Sequence, residues 1–252
     1  MTRKIYQPLV FRLHALTNLH PGSGDSFYGA VDKLVQRDPV TRRPTIYSHS
    51  LKGALREYFE TQLGYENGTP EEKAFVTHVF GSSVKGNPDD AAQGNFRFFS
   101  ADLLAFPVPD EDPNSTTAFH LKTDEEVWKH FTQKINLLHL NGKWEQDALK
   151  QEFNKDLSGF SNDAAAFKNA CDELPVIARN QLENGESQNL WYEELVPHQS
   201  VFGFIVQVEK SEENMAKIAE FTQKLNNQVV QIGANATVGY GYCLITQIKS
   251  GS

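Results

Sequence analysis

An α+β fold is predicted by three features of this chain. Residues 5–17 alternate apolar and polar, and residues 200–209, SVFGFIVQVE, form a strongly apolar run. Each of these strand patterns is followed by an amphipathic helical stretch and then by a further strand. The order is therefore strand, helix, strand, then strand, helix, strand.

Taken in order, the first strand places Leu9, Phe11, Leu13 and Ala15 on one side and Arg12 and His14 on the other, which reads as half-buried. A glycine-rich loop runs from Asn18 to about Gly29. From Leu51, the residues Leu51, Ala54, Leu55, Tyr58, Phe59 and Leu63 recur at helical spacing, and Ser48 or Ser50 can cap the start. A second amphipathic piece runs from Glu71 to Phe80 and stops at Gly81. Residues 95–106, NFRFFSADLLAF, read as a strand, and PVPDEDPNSTT at 107–117 as a surface loop. Weaker helical patterns surround Val127, Trp128 and Phe131, then Phe153 and Phe167. Residues 176–195 read as a hairpin, two arms around the polar tip Glu183-Asn184-Gly185-Glu186. Residues 212–227 form a helix with Met215, Ile218, Ala219, Phe221, Thr222 and Leu225 toward the core. YCLITQI at 242–248 is the last strand. With the middle removed, this is the ferredoxin-like β-α-β-β-α-β order. Residues 1–252 then form one domain, with 107–199 as a large insertion between its halves.

Composition narrows the function. Hydrophobic residues are 39% and charged residues 22%, ordinary for a globular protein, and the net charge is −8. Free-standing non-specific nucleic-acid binders are usually basic, so any such role must come from a local basic patch or from assembly. Two cysteines, Cys171 and Cys243, lie far apart with no ligand spacing around either. They suggest neither a disulfide framework nor a zinc site, and a cytoplasmic location fits. The opening MTRKIYQPLVFRLHALTNLH lacks a signal-peptide pattern, and no apolar run approaches the length of a membrane span.

Three constellations can carry chemistry. The first is HPGSGDSFYGAVDKLVQRD at 20–38. Its glycines suggest a phosphate cradle, but no lysine follows and GxGxxG is absent at 22–27, so a nucleotide loop is disfavoured. It holds His20, Asp25 and Asp32. The second is a basic band: Lys33, Arg37, Arg42, Arg43, Lys52 and Arg56 stand against the single acid Asp38. Lys52 and Arg56 share a helix face. Such a band can replace phosphate counterions, or it can be a solvated face. The third is IGANATVGYG at 232–241. Gly233, Gly239 and Gly241 permit close approach of a ligand, Asn235 and Thr237 offer polar contacts, and Tyr240 a stacking face; an ordinary turn is the alternative.

Together, LHPGSGDS, GAVDKLVQRDPVTRRPTI, SHSLKGALREYF, FRFFSADLLAFPV and IGANATVGYGYC resemble the RAMP superfamily of CRISPR ribonucleoproteins. More narrowly, they look like the backbone subunit of the type III-B (Cmr) effector. The type III-A (Csm) backbone subunit is similar too, with Gln36-Arg37-Asp38 and Leu103–Val108 favouring III-B. The resemblance covers roughly residues 5–60, 95–108 and 176–245.

This resemblance implies a ferredoxin-like (RRM-like) RAMP fold with a thumb hairpin at about 176–195. It implies a filament of copies stacked along a guide crRNA, a complementary target RNA, and other Cmr subunits, including the large cyclase/polymerase-like subunit and the small helical subunit. The helix opening Ser50-Leu51-Lys52-Gly53 and the C-terminal glycine loop would line the guide. Asp32 matches the target-cleaving aspartate. The RNA-binding set is then His20, Arg37, Ser48, Ser50, Lys52, Gly53, Arg56, Gly233, Asn235, Thr237, Gly239 and Tyr240. Asp32 is expected to act as proton acceptor or as ligand of a divalent ion such as Mg²⁺. Two other readings remain: a purely structural crRNA-binding subunit, and a stand-alone repeat-processing endoribonuclease using His14, His20 or His49.

Overall fold

The computed structural model describes residues 5–26, 30–82, 92–138, 143–184 and 186–249. The first part of the chain gives β1 (Tyr6–Ala15), β2 (Gly22–Ser26), β3 (Lys33–Val35), β4 (Thr45–Ile46), α1 (Ser48–Glu57) and α2 (Pro70–Phe80). After these come β5 (Arg97–Phe98), β6 (Ala101–Pro109) and β7 (Phe119–Thr123), then α3 (Glu125–Leu138) and α4 (Gln146–Asn154). The second half holds β8 (Phe160–Asn162), α5 (Ala164–Asp172), β9 (Val176–Glu183), β10 (Glu186–Glu194) and β11 (Val201–Glu209). The chain closes with α6 (Glu212–Leu225), β12 (Gln228–Gln231) and β13 (Tyr242–Ile248).

The main sheet runs β12-β13-β1-β11-β6-β7-β8, with β4 on β6 and β5 on β11. The path β13-β1-β11-β6 is antiparallel at each step. The strand-helix-strand connections therefore interleave: β11 lies between β1 and β6, and β1 between β11 and β13. On one face, Phe221 of α6 packs on Phe11 and Phe96, and stacks on Phe59 at 5.6 Å. On the other, Trp128 and Phe131 of α3 meet Phe153 of α4. A Cβ on Gly203 would come 2.6 Å from the Phe131 ring, so α3 lies against β11 only because that position is glycine.

Covering both faces alters the expectation for β1. Its polar side is buried: Arg12 is 3% exposed and His14 9%. Each is accommodated by a specific partner, as burial requires. Arg12 donates to the carbonyls of Phe153, at 2.8 Å, and Lys155, at the C-terminal end of α4. His14 Nε2 donates to Gln199 Oε1 at 2.9 Å.

Other expectations shift as well. α1 begins at Ser48, and its N-cap Tyr47 supplies no side-chain bond, so neither serine is the cap. The helix runs into a π turn at Tyr58–Gln62. α2 is capped by Thr69, which pairs reciprocally with Glu72. The 95–106 strand is split into β5 and β6, and β6 continues to Pro109 before pairing with β7. That shortens the expected 107–117 loop. Met215 points outward at 52% exposure, whereas Ile218, Phe221 and Leu225 are buried.

Within residues 107–199, β7 and β8 extend the main sheet, and Val127, Trp128, Phe131, Phe153 and Phe167 join the contiguous core. β9 and β10 form the expected antiparallel hairpin. Its arms are largely exposed, because it belongs to a separate four-stranded sheet, β2-β3-β10-β9. Among the described residues no helix is long and apolar enough to cross a membrane.

Candidate nucleic-acid interface

Two glycine-rich segments far apart in sequence meet in space. The first, expected as a loop from Asn18 to about Gly29, carries strand β2 at Gly22–Ser26. Ala234 N donates to the His20 carbonyl at 3.0 Å, and Gly241 N to the Asn18 carbonyl at 2.8 Å. Gly233 has φ +85°, and a Cβ there would lie 2.5 Å from the His20 carbonyl oxygen. No L side chain fits that contact, so the glycine sets the loop-to-loop distance. The base of the β9–β10 hairpin completes the junction through Leu19 and Val196, which exchange two backbone bonds of 2.8 Å.

A cavity of about 680 Å³ opens at this junction. His20, Asp32, Lys33, Gln36, Ser50 and Gly233 are among its lining. Asp32 is exposed, just before β3. Its Oδ2 accepts from Tyr192 N at 2.8 Å, and its own amide donates to the Tyr192 carbonyl at 3.0 Å. Oδ1 receives no hydrogen bond from the described residues. The carboxylate is thus anchored by one oxygen and open through the other. The Asp25 side chain lies outside the described residues.

His20 is buried, and its Nδ1 donates to the Glu194 carbonyl at 2.6 Å. In the neutral ring this leaves Nε2 as an acceptor, on the side of Gly22. Gln36, also buried, ties the cavity wall together. Its Nε2 donates to the Gly22 carbonyl and to Ser50 Oγ, while Oε1 accepts from Tyr47 N. Ser50 therefore lines the same cavity as Asp32, whereas Ser48 and Lys52 line another.

The structure corrects the reading of the basic band. Four of its six cations are paired with acids from elsewhere in the chain: Lys33 with Glu193, Arg37 with Glu194, Arg43 with Asp124 and Arg56 with Glu60. Arg37 is engaged most fully, since it also donates to the carbonyls of Arg42 and Cys171. Its guanidinium faces the fold, which removes it as a phosphate grip. Lys52 and Arg42 make no ion pair among the described residues. A run of positive residues in sequence is thus largely neutralised in space.

In the C-terminal loop, Thr237 and Gly239 are exposed, Thr237 within the short turn Ala236–Val238. Asn235 donates to Glu193 Oε2 at 2.9 Å, and Arg179 covers one face of Tyr240, 4.9 Å above the ring. Gly53 is exposed on α1, with nothing within 4 Å of a built Cβ.

Glu193 is the residue that sequence reasoning missed. It is 1% exposed and binds Lys33, Arg179, Asn235 and the Trp191 indole together. Burial alone would raise its carboxyl, but Trp191, Lys33 and Arg179 outweigh burial and hold it below the usual carboxylate range. One carboxylate thus ties the Asp32 segment, the C-terminal loop and the hairpin. The available signal was two adjacent acids, Glu193 and Glu194, at the end of a strand otherwise read as a hairpin arm.

A family model described as the RAMP superfamily matches residues 12–243. The chain belongs to the RAMP superfamily. Among curated relatives, this RAMP protein is 26% identical to the CRISPR system Cmr endoribonuclease Cmr4 of Pyrococcus furiosus, with 93% of each chain covered. Its fold matches a chain of the type III-B Cmr-beta complex bound to cognate target RNA, with TM-score 0.74 and 20% identity over 95% of this chain and 96% of that one. It also matches oligomeric Cmr4 from Pyrococcus furiosus, with TM-score 0.68 and 22% identity over 98% and 99% of the two chains. In this RAMP fold, no cluster of three or more metal-ligating side chains occurs among the described residues. Asp32 is the one acid among the described residues that line its cavity, and a lone carboxylate does not cage a divalent ion.

Proposed function

We propose that this RAMP protein is the guide-crRNA-binding filament subunit of a type III-B effector, and that it cuts complementary target RNA with Asp32. The observation that carries this reading is the setting of Asp32. An exposed carboxylate is pinned by Tyr192 N at the mouth of a cavity walled by both glycine loops and by α1. The names of the relatives support it: one is a Cmr endoribonuclease, and another structure is a Cmr complex holding target RNA.

Chemically, RNA supplies its own nucleophile, the 2′-hydroxyl. The protein must orient the sugar for in-line attack and assist one proton transfer. In this reading Asp32 Oδ1 accepts that proton. Tyr192 N fixes the carboxylate plane, and the backbone pairing of Asp32 with Tyr192 holds the group against the hairpin. An Mg²⁺ held by Asp32 and substrate phosphates would neutralise developing charge. The hairpin is the part that would reach the neighbouring copy and the guide–target duplex. Lys52, Gly53, Ser50 and the exposed Thr237–Gly239 segment would follow the guide backbone. The other Cmr subunits and a cytoplasmic location belong to this same proposal.

The stand-alone processing reading needs converging histidines. His14 is bonded to Gln199 inside the sheet, while His20 and His49 line different cavities. The described residues thus place no two of them in one cavity. The decisive experiment purifies the chain with its partners and adds complementary RNA. The proposal expects a co-purifying RNA of defined length and cuts at regular spacing. A particle that binds target without cutting it would leave the scaffold reading instead.

A further inference from the structure

A second cavity, of about 620 Å³, opens between α1, β5 and the start of β1, on residues that the Asp32 cavity does not use. Its lining includes Tyr6, His49, Lys52, Asn95 and Arg97, and Glu209 is the one acid. The Arg97 guanidinium lies 4.3 Å over the Tyr6 ring. Its Nη2 donates to Tyr6 Oη at 2.9 Å and its Nη1 to Gln207 Oε1 at 3.4 Å. Arg97 makes no ion pair among the described residues, and it is exposed.

This arrangement does two things. The tyrosine face and two acceptors orient the guanidinium plane without neutralising it. Arg97 therefore lines the cavity as an oriented planar cation without an acidic partner among the described residues, beside an aromatic ring. Lys52, unpaired among the described residues, brings a second positive charge from α1. A flat cation suits a nucleobase, and a point cation suits a phosphate. The lining is mostly polar, unlike the apolar centre of a protein–protein contact.

We infer that this cavity binds one nucleotide of single-stranded RNA, its base stacked on Arg97 and its phosphate held by Lys52. The inference rests on the RNA-binding reading above and extends it to residues in β1 and β5. The RNA path would then pass both sides of the first turn of α1, since Ser50 lines one cavity and Ser48, His49 and Lys52 the other.

The test uses the full chain and a single-stranded oligouridine carrying 4-thiouridine. Photo-cross-linking should mark peptides containing Tyr6 or residues 93–98. Arg97→Lys keeps the charge but loses the planar stack. It should weaken RNA binding about tenfold with the salt slope unchanged. Arg97→Ala should lose at least as much, with the slope again little changed because the phosphate stays on Lys52. Tyr6→Phe, which keeps the ring but removes one of the two acceptors that orient Arg97, should weaken binding measurably but less than Arg97→Ala. Unaltered binding in both Arg97 variants, with cross-links confined to the C-terminal loop, would overturn the inference while leaving RNA binding intact. Normal RNA binding by those variants with failed assembly would overturn it in favour of a protein contact. Absence of binding by wild type would overturn the RNA-binding reading itself.

Discussion

Asp32 and Tyr192 hold each other by the backbone and by one carboxylate oxygen. Asp32 N donates to the Tyr192 carbonyl at 3.0 Å, and Tyr192 N to Asp32 Oδ2 at 2.8 Å. Asp32→Asn can keep the backbone bond and, through its carbonyl oxygen, the side-chain one. It loses the charge and the proton-accepting oxygen. Target cleavage by the assembled particle should fall by about 10² or more, with guide and target binding equal or slightly tighter. Asp38→Asn is the control. Asp38 Oδ1 accepts from Val40 N, Thr41 N and Thr41 Oγ1, so it holds a turn. That variant should lower stability by about 1 kcal/mol and keep most of the cleavage. If Asp32→Asn cuts at the wild-type rate, Asp32 is not the cleaving group.

Lys52 and Arg56 share a helix face but differ in partner. Arg56 is paired with Glu60, whereas Lys52 is unpaired among the described residues. Lys52→Ala should reduce the salt slope of RNA binding by about 0.7, the value for one single-strand phosphate contact. Arg56→Ala should change it less. Equal slopes in wild type and Lys52→Ala would make this helix face merely solvated.

Glu193→Ala removes the shared partner of Lys33, Arg179 and Asn235. Breaking a buried charged network of this kind costs about 3 kcal/mol. Denaturant melts should show that loss, and Glu193→Gln should recover part of it, since its single amide oxygen can still accept from either Asn235 or Trp191. Cleavage measured well below the melting point should also fall, because the Asp32 segment keeps only its bonds to Tyr192 and loses the Lys33–Glu193 pair beside them. A stable, fully active Glu193→Ala protein would remove Glu193 from its organising role.

His14 gives a pH signature. Burial and the charge of Arg12 push its imidazole below the ordinary 6.5, against the opposing effect of Gln199. The folded state thus takes up the proton less readily than the unfolded chain. The stability gained is complete above pH 6.5 and is lost as pH falls through the folded value. Melting temperature should therefore drop between neutral and mildly acidic pH more steeply in wild type than in His14→Gln. An NMR titration of His14 with a midpoint at or above 6.5 would contradict this.

Replacing Glu183–Gln188 with a short Gly-Ser linker should leave the chain folded, because the described tip residues are exposed and outside the core. Particle assembly or the regular spacing of cuts should be lost. An unchanged cleavage ladder would show that the hairpin tip does not reach a neighbour.

Strands and helices with a clear apolar period were legible in the sequence: β11, α6 and β13 lie within two residues of their expected limits. What failed depended on neighbours distant in sequence. Arg12 and His14 read as a solvent face because alternation cannot reveal that α3 and α4 cover that side of β1. β12 carried no alternation and is held by pairing with β13. In the candidate site, Asp32 and the glycine loops were visible as motifs, and their meeting was not. The basic band misled because its counter-charges, Asp124, Glu193 and Glu194, lie 81 to 160 residues away from the cations they pair.

The position of β1 in the sheet has a consequence for how the protein is made. Strand β1 is hydrogen-bonded on one side to β11 and on the other to β13, whose residues Tyr242–Ile248 lie far along the chain. Until residue 248 emerges, one edge of LVFRLHA stays open, and Arg12 waits for carbonyls near residue 155. Contacts of such long sequence separation fold slowly and leave a sticky edge exposed meanwhile. The main sheet thus closes only once β13 has been made, and a nascent chain that stops before residue 233 cannot join its two glycine-rich segments.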